Sequence, residues 1–256
     1  MSAVSAYPGL SGQRVFITGA ARGLGRSMAE KLAGCGATVA VTDVDAGGCE
    51  EVVKGIRAAG GAAFAYCVDV AVREQMLDAA AQFAAQGGRI DAVINNAMLL
   101  RYEPVEKITA ETLTRMTAIG INGSIWGAQA LLAHYDAARG GAIINMASPV
   151  AEKGFPNTAA YSLVKGAIVT LTKVLAAELG PRNVRVNAIA PGSVPTPGAL
   201  GLNDKAEYER RSRSIPLRRL GHEQDNAEAC AFLLSGAASF INGEILHVDG
   251  GIAAAG

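Results

Sequence analysis

Short apolar runs alternate with helical segments along almost the whole chain, and that rhythm leaves few architectures open. Arg14–Thr18, Thr38–Thr42, Ala62–Val68, Ala92–Ile94, Ala142–Met146, Val184–Ile189 and Glu244–Val248 read as strands. Helical patterns lie between them, over Gly23–Ala33, Cys49–Ala59, Arg73–Gln86, Thr109–Tyr135, Ala159–Leu179 and Asp225–Leu234. Strands with continuous apolar character need cover on both faces. Intervening helices supply it, so the expected fold is α/β: a doubly wound parallel sheet with helices on both faces. A chain of 256 residues suits one domain over 1–256. One stretch breaks the rhythm. Pro191–Leu220 is rich in Pro, Gly and Arg and offers only a short helix near Asp204–Arg211. Long irregular segments in compact domains usually serve function, so residues 193–220 are expected to form a substrate lid. Gly250–Gly256 reads as a tail.

Composition removes several function classes. The 23 basic and 23 acidic residues cancel, and aromatic residues are only 5%. Both argue against a nucleic-acid module. No apolar run reaches the ~18 residues of a membrane span. Met1–Leu10 lacks the basic start and apolar stretch of a secretory signal, so a cytoplasmic location is expected. Cys35, Cys49, Cys67 and Cys230 make no CxxC pair and read as free thiols in a reducing compartment. His134, His222 and His247 show no ligand spacing, and no metal is expected.

A glycine loop joins the first strand to the first helix: Thr18-Gly19-Ala20-Ala21-Arg22-Gly23-Leu24-Gly25. Glycines there let the backbone turn tightly beside a pyrophosphate, and the helix N-terminus presents N–H groups to it. The spacing departs from G-x-G-x-x-G, but the strand–loop–helix context is the one the physics asks for. An ordinary glycine turn is the plain alternative. Asp43 ends the second strand, 18 positions after Gly25. A carboxylate there can accept from an adenosine ribose and repel a 2′-phosphate, or it can simply be a strand-end turn residue. NAD is therefore the expected cofactor. Arg22, a basic group in the same loop, keeps NADP open as the alternative.

Tyr161 and Lys165 stand four residues apart in a helical pattern, on one face and one turn apart. A nearby cation favours the phenolate, so the phenol is expected to ionise more easily than a free tyrosine, whose pKa is about 10. Such a phenol is a general acid/base. A lysine stem lying on a ring explains the same spacing without chemistry.

The glycine loop, Asn95-Asn96-Ala97, Ser148, the Tyr161/Lys165 pair and Pro191-Gly192 occur in this order. In this the chain resembles the classical short-chain dehydrogenase/reductase family, over about Gly12 to Gly251. The resemblance implies a one-domain Rossmann-type fold with seven parallel strands. It also implies a homotetramer or dimer, a small-molecule alcohol or ketone substrate, and reversible hydride transfer to NAD.

Residue by residue, Tyr161 matches the family's catalytic tyrosine, Lys165 its lysine and Asn122 its helix asparagine. Ser148, 13 positions before Tyr161, matches the catalytic serine; preceding Pro149, it also suits a turn. The resemblance gives Lys165 the lowering of the phenol's pKa and the ribose hydroxyls, Ser148 the substrate oxygen, and Asn122 a relay water. Asp69 and Val70 resemble the pair flanking adenine. Asn95 and Ala97 resemble the cofactor-side support, and Pro191, Gly192, Val194 and Thr196 the nicotinamide end. Two departures stand out. Met98 occupies a position where glycine is common, which would demand a permissive backbone angle. Ala147-Ser148 replaces the frequent Ser-Ser.

Met98, Leu99, Leu100, Val150, Phe155 and Leu200 or Leu202 are candidate pocket residues, which suggests a mainly apolar pocket; core packing explains them equally. Arg210, Arg211, Arg213, Arg218 and Arg219 fall in the irregular segment, as surface or subunit contacts or as anion binders. An NADPH-dependent 3-oxoacyl-carrier-protein reductase and a catalytically idle NAD-binding sensor are the rival readings. Asp43 opposes the first, and the intact set of Asn122, Ser148, Tyr161 and Lys165 opposes the second.

Overall fold

The computed structural model describes residues 7–199 and 205–255. Seven strands form one sheet: β1 Arg14–Thr18, β2 Thr38–Asp43, β3 Ala62–Cys67, β4 Ala92–Asn95, β5 Gly141–Met146, β6 Val184–Pro191 and β7 Ile245–Val248. Their order is β3-β2-β1-β4-β5-β6-β7, and every pairing is parallel. The helices are α1 Gly23–Gly34, α2 Ala46–Ala58, α3 Arg73–Ala85, α4 Ala110–Thr117, α5 Gly123–His134, α6 Ala159–Leu179, α7 Lys205–Ser214 and α8 Glu223–Leu234.

β1 shows why both faces are covered. Its five residues are all buried. Val15 and Ile17 point into a core with residues of α1, α2 and α8, and Phe16 points into a second core with residues of α3 and α5. Period-two alternation thus feeds two apolar layers instead of one. Each fully buried large side chain, such as Phe83 or Leu32, contributes ~1.5–3 kcal/mol.

After β3 the chain returns to the far side of β1 and lays down β4. That reversal opens a crevice beyond the carboxyl ends of β1 and β4, the usual ligand position in such sheets.

Three expectations need correction. The helix expected over Thr109–Tyr135 is broken. Ala118–Asn122 forms a π turn, and Gly123 N–H bonds to the Ala118 carbonyl five residues back. Gly120 and Gly123 weaken the α pattern there, and Ser124 Oγ donates to the Gly120 carbonyl at 2.7 Å. α2 begins three residues early because the Asp45 side chain caps it, accepting from Gly48 N–H at 2.9 Å. The supposed tail after Gly250 is tied down. The Asp249 carboxylate accepts from Gly251 and Ala253 N–H at 2.8 and 2.9 Å, and Lys153 Nζ donates to the Ile252 carbonyl at 3.4 Å. Among the described residues no helix is long and apolar enough to cross a membrane.

Candidate active site

One cleft of about 1230 Å³ runs along the carboxyl ends of the strands. Gly19, Arg22, Gly23, Leu24, Asp43, Asp69, Val70, Ala97, Ser148, Tyr161, Lys165, Pro191, Gly192, Val194 and Thr196 all line it. So do Met98, Leu99, Leu100, Val150 and Phe155. Residues far apart in the chain thus meet on a single surface. Leu200 and Leu202 lie outside the described residues.

The glycine loop is built by close approach. Gly19 and Gly23 have φ of 64° and 60°, where only glycine is unstrained. A Cβ on Gly19 would sit 2.8 Å from Ala97 Cα, and one on Gly25 would sit 2.2 Å from the Gly19 carbonyl oxygen. Gly25 therefore packs α1 against the loop rather than lining the cleft. Arg22 precedes α1 with extended backbone and no side-chain capping bond, so the first-turn N–H groups face the loop opening.

Asp43 braces this loop. Its Oδ2 accepts from Ala21 N–H and its Oδ1 from Asp45 N–H, both at 3.2 Å. Along the same cleft Asp69 accepts from Arg115 Nη2 at 2.8 Å and from Ala71 N–H at 2.9 Å. Burial alone would raise its carboxyl pKa; those two donors and the arginine charge outweigh it and hold the pKa below the usual range.

Asn95 does not reach the cleft. It lies in a buried network, donating to Asn145 Oδ1 at 2.9 Å and to the Ser124 carbonyl at 3.2 Å, while Asn145 donates to Thr172 Oγ1 at 2.9 Å. The neighbour that does reach it is Asn96. Its Nδ2 donates to the Thr18 and Gly19 carbonyls at 2.9 and 2.8 Å. Thr18 Oγ1 accepts from Asn96 and Ala97 N–H at 3.0 and 3.1 Å. Thr18 and Asn96 went unrecognised in the sequence, although Asn-Asn after an apolar strand was a visible signal. Asn122 ends the π turn, which packs on α6 behind the cleft wall.

Tyr161 and Lys165 sit on one face of α6, with Lys165 Nζ 5.5 Å from the phenol ring centre. Lys165 is buried and donates to the Met146 carbonyl at 2.5 Å. Burial lowers its pKa to about 8. Tyr161 corrects the expectation of an acidified phenol. Burial pushes its pKa up, Tyr102 adds to the rise, and a hydrogen bond from Ser148 opposes both. Desolvation of the phenolate outweighs help from a lysine engaged elsewhere. Ser148 also caps the Pro149–Ala151 turn, accepting from Val150 N–H at 3.4 Å. It is both the turn residue and the tyrosine's partner.

Met98 needs no special backbone. Among the described non-glycine residues only Asn157, Asn183 and Arg218 have positive φ. Its side chain packs beside Gly120, where a Cβ would lie 3.0 Å from the Met98 sulfur. The pocket is also less apolar than expected, because α7 brings Glu207, Tyr208, Arg210 and Arg211 to the same cleft, opposite Tyr102. Arg218 and Arg219, in the same segment, pair outside the cleft. Arg219 bonds Asp225 at 2.7 and 3.0 Å, and Arg218 bonds the Arg213 carbonyl.

Residues 19–253 match the family model described as enoyl-(acyl carrier protein) reductase. The chain is 36% identical to a D-threitol dehydrogenase of Mycolicibacterium smegmatis, across 94% of this chain and 93% of the relative. Two solved structures are similar. A gluconate 5-dehydrogenase from Burkholderia cenocepacia, in complex with NADP and tartrate, superposes with a TM-score of 0.90 at 32% identity, covering 96% of this chain and 97% of that one. A 3-ketoacyl-(acyl-carrier-protein) reductase from Brucella melitensis, complexed with NADH, gives 0.89 at 34%, covering 95% and 99%.

Proposed function

The chain belongs to the short-chain dehydrogenase/reductase family and is an oxidoreductase of CH–OH groups; from that premise we propose that it transfers a hydride reversibly between a secondary alcohol or its ketone and NAD(H), with Tyr161 as general acid/base. One observation carries this reading: Tyr161, Lys165 and Ser148 line a single cleft with Asp43.

The walls suit a dinucleotide. Gly19 and Gly23 keep side chains out of its path, and the α1 N-terminus favours a pyrophosphate. Asp43 accepts from the adenosine ribose and repels a 2′-phosphate. Asp69 and Val70 flank the adenine, and Pro191, Gly192, Val194 and Thr196 hold the nicotinamide end. When bound, the nicotinamide accepts or returns the hydride.

The remaining work falls to the chain. Ser148 donates to the substrate oxygen and stabilises charge developing there. Tyr161, as the phenolate, takes the alcohol proton in oxidation, and as the phenol it returns one in reduction. Lys165 holds the nicotinamide ribose hydroxyls and sets positive charge beside the phenol. Asn122, on the turn against α6, orders a water that carries the proton between Lys165 and solvent. Residues 193–220 close over the substrate as a lid, and the protein works as a cytoplasmic homotetramer.

The test is a panel of cyclic, aliphatic and aryl secondary alcohols with NAD and NADP, paired with thermal shifts for both cofactors. Turnover with NAD preferred supports the reading. Cofactor binding with no turnover on any alcohol or matching ketone would leave an idle sensor. A second reading is NADPH-dependent 3-oxoacyl-carrier-protein reduction; Arg22 at the cleft favours the phosphorylated cofactor, and the ketoacyl reductase, itself solved with NADH, favours only the 3-oxoacyl substrate. An NADPH preference with a 3-oxoacyl thioester would decide for it.

A further inference from the structure

The substrate end of the cleft has two unlike walls. Met98, Leu99, Leu100 and Phe155 make one of them apolar. The other is α7, with the sequence Lys-Ala-Glu-Tyr-Glu-Arg-Arg-Ser-Arg-Ser. Such a helix has no apolar stripe, so hydrophobic packing does not explain its place at the cleft.

Its charged groups are organised. Glu207 accepts from Arg210 Nε and Nη2, both at 2.8 Å, and from Arg211 Nε at 2.7 Å. Two guanidinium groups therefore share the Glu207 carboxylate. Arg211 is the inner arginine, with its side chain 29% exposed against 70% for Arg210. Arg211 and Tyr102 line the same cleft. The Tyr102 ring in turn contacts Tyr161, 5.5 Å between centroids. A half-buried positive charge therefore shares the cleft with the ring that packs on Tyr161. A guanidinium carries five N–H donors in a planar fork, so one carboxylate does not exhaust it.

We infer that the substrate is a secondary alcohol with an apolar body and a carboxylate at its far end, seated on Arg211 beside Glu207. The inference rests on the hydride-transfer reading of Tyr161 and adds the substrate class. The body lies on the Met98–Leu100 wall, and the carboxylate meets the Arg211 charge. A neutral alcohol would leave the charged wall unmatched.

The test measures binding, not turnover. The NADH-loaded protein is titrated calorimetrically with cyclohexanecarboxylate and with cyclohexanecarboxamide, which share an apolar body and differ in charge. The carboxylate is expected to bind at least about tenfold tighter, consistent with the strength of charge-assisted bonds. Arg211→Gln should bring the two affinities together, Glu207→Gln should tighten the carboxylate further, and Arg219→Gln should leave the preference intact. Equal affinities, no detectable carboxylate binding, or a preference that survives Arg211→Gln overturns the inference. Those results would leave hydride transfer standing, because that reading fails only when no alcohol or ketone in the panel is turned over.

Discussion

The ring of Tyr102 meets the ring of Tyr161 edge-on, with centroids 5.5 Å apart and planes inclined at 65°. Tyr102 comes from the loop after β4 and Tyr161 from α6, so the contact ties two separately built walls of the cleft. An edge-to-face pair contributes ~0.5–1.5 kcal/mol beyond its buried area. On the acid/base role proposed for Tyr161 its value is positional, because a misplaced acid/base group loses rate steeply. Tyr102→Ala should lower kcat/KM by about tenfold, while Tyr102→Phe, which keeps the ring, should stay close to the parent. Steady-state kinetics of the two variants decide it; equal losses in both would assign Tyr102's hydroxyl, not its ring, to the effect.

Removing the Tyr161 hydroxyl should be far more severe. Tyr161→Phe is expected to reduce turnover by about 10²–10⁴-fold, the usual weight of a positioned acid/base. NAD affinity, read by fluorescence titration, should change little, since the hydroxyl serves the substrate side. Retained turnover would remove Tyr161 from the proton-transfer role.

Asp43 braces the glycine loop through Ala21 and Asp45, and in the proposed reading it also acts on cofactor choice through its charge. Asp43→Ala should weaken NAD binding and move the NAD/NADP ratio toward NADP. Asp43→Asn preserves the side chain's shape and isolates the charge, so it should shift the ratio with a smaller loss of NAD affinity. An unchanged ratio in both variants would transfer specificity to Arg22.

Gly127 has no counterpart in the expected site, yet it limits the fold beneath it. A Cβ there would lie 1.9 Å from Asn95 Oδ1 in the buried network joining β4, β5 and α6. Gly127→Ala must displace that amide and should destabilise the protein by ~1–3 kcal/mol, the common range for overpacking. Chemical denaturation measures it; an unchanged midpoint would mean the network shifts freely.

The sheet was legible because apolar runs and helical patterns are local signals. All seven strands fall within about two residues of their expected ends. The broken helix was not, because the π turn depends on Gly120 and Gly123 meeting Val164 and Val70 across the fold. The same division holds at the cleft. Gly19, Asp43, Ser148 and Tyr161 were recognisable by residue type and order. Asn96 in place of Asn95, and the arrival of Arg211 in the cleft with Tyr102, depend on the tertiary arrangement. The raised pKa of Tyr161 is hidden from the sequence for the same reason, since spacing reveals a neighbouring cation but not how much water each group has lost.

Lys165 offers a test of that desolvation in the cofactor-free protein. Burial lowers its pKa from 10.5 to about 8. The unfolded chain therefore binds this proton more tightly than the folded one. The penalty is fully present below pH 8, and stability gains from its relief as pH rises toward 10.5. At neutral pH the penalty is ~3 kcal/mol, partly offset by ~1–2 kcal/mol from the bond to the Met146 carbonyl. Lys165→Met should therefore be more stable than the parent at pH 7, with an advantage that shrinks between pH 8 and 10. Tyr161 sets the upper limit of that window: burial raises its pKa, so its contribution is complete below the ordinary tyrosine value and is lost above it. Thermal unfolding of both proteins across this range gives the answer. A variant less stable than the parent at pH 7, or an advantage independent of pH, would show that Lys165 is not strained by its burial.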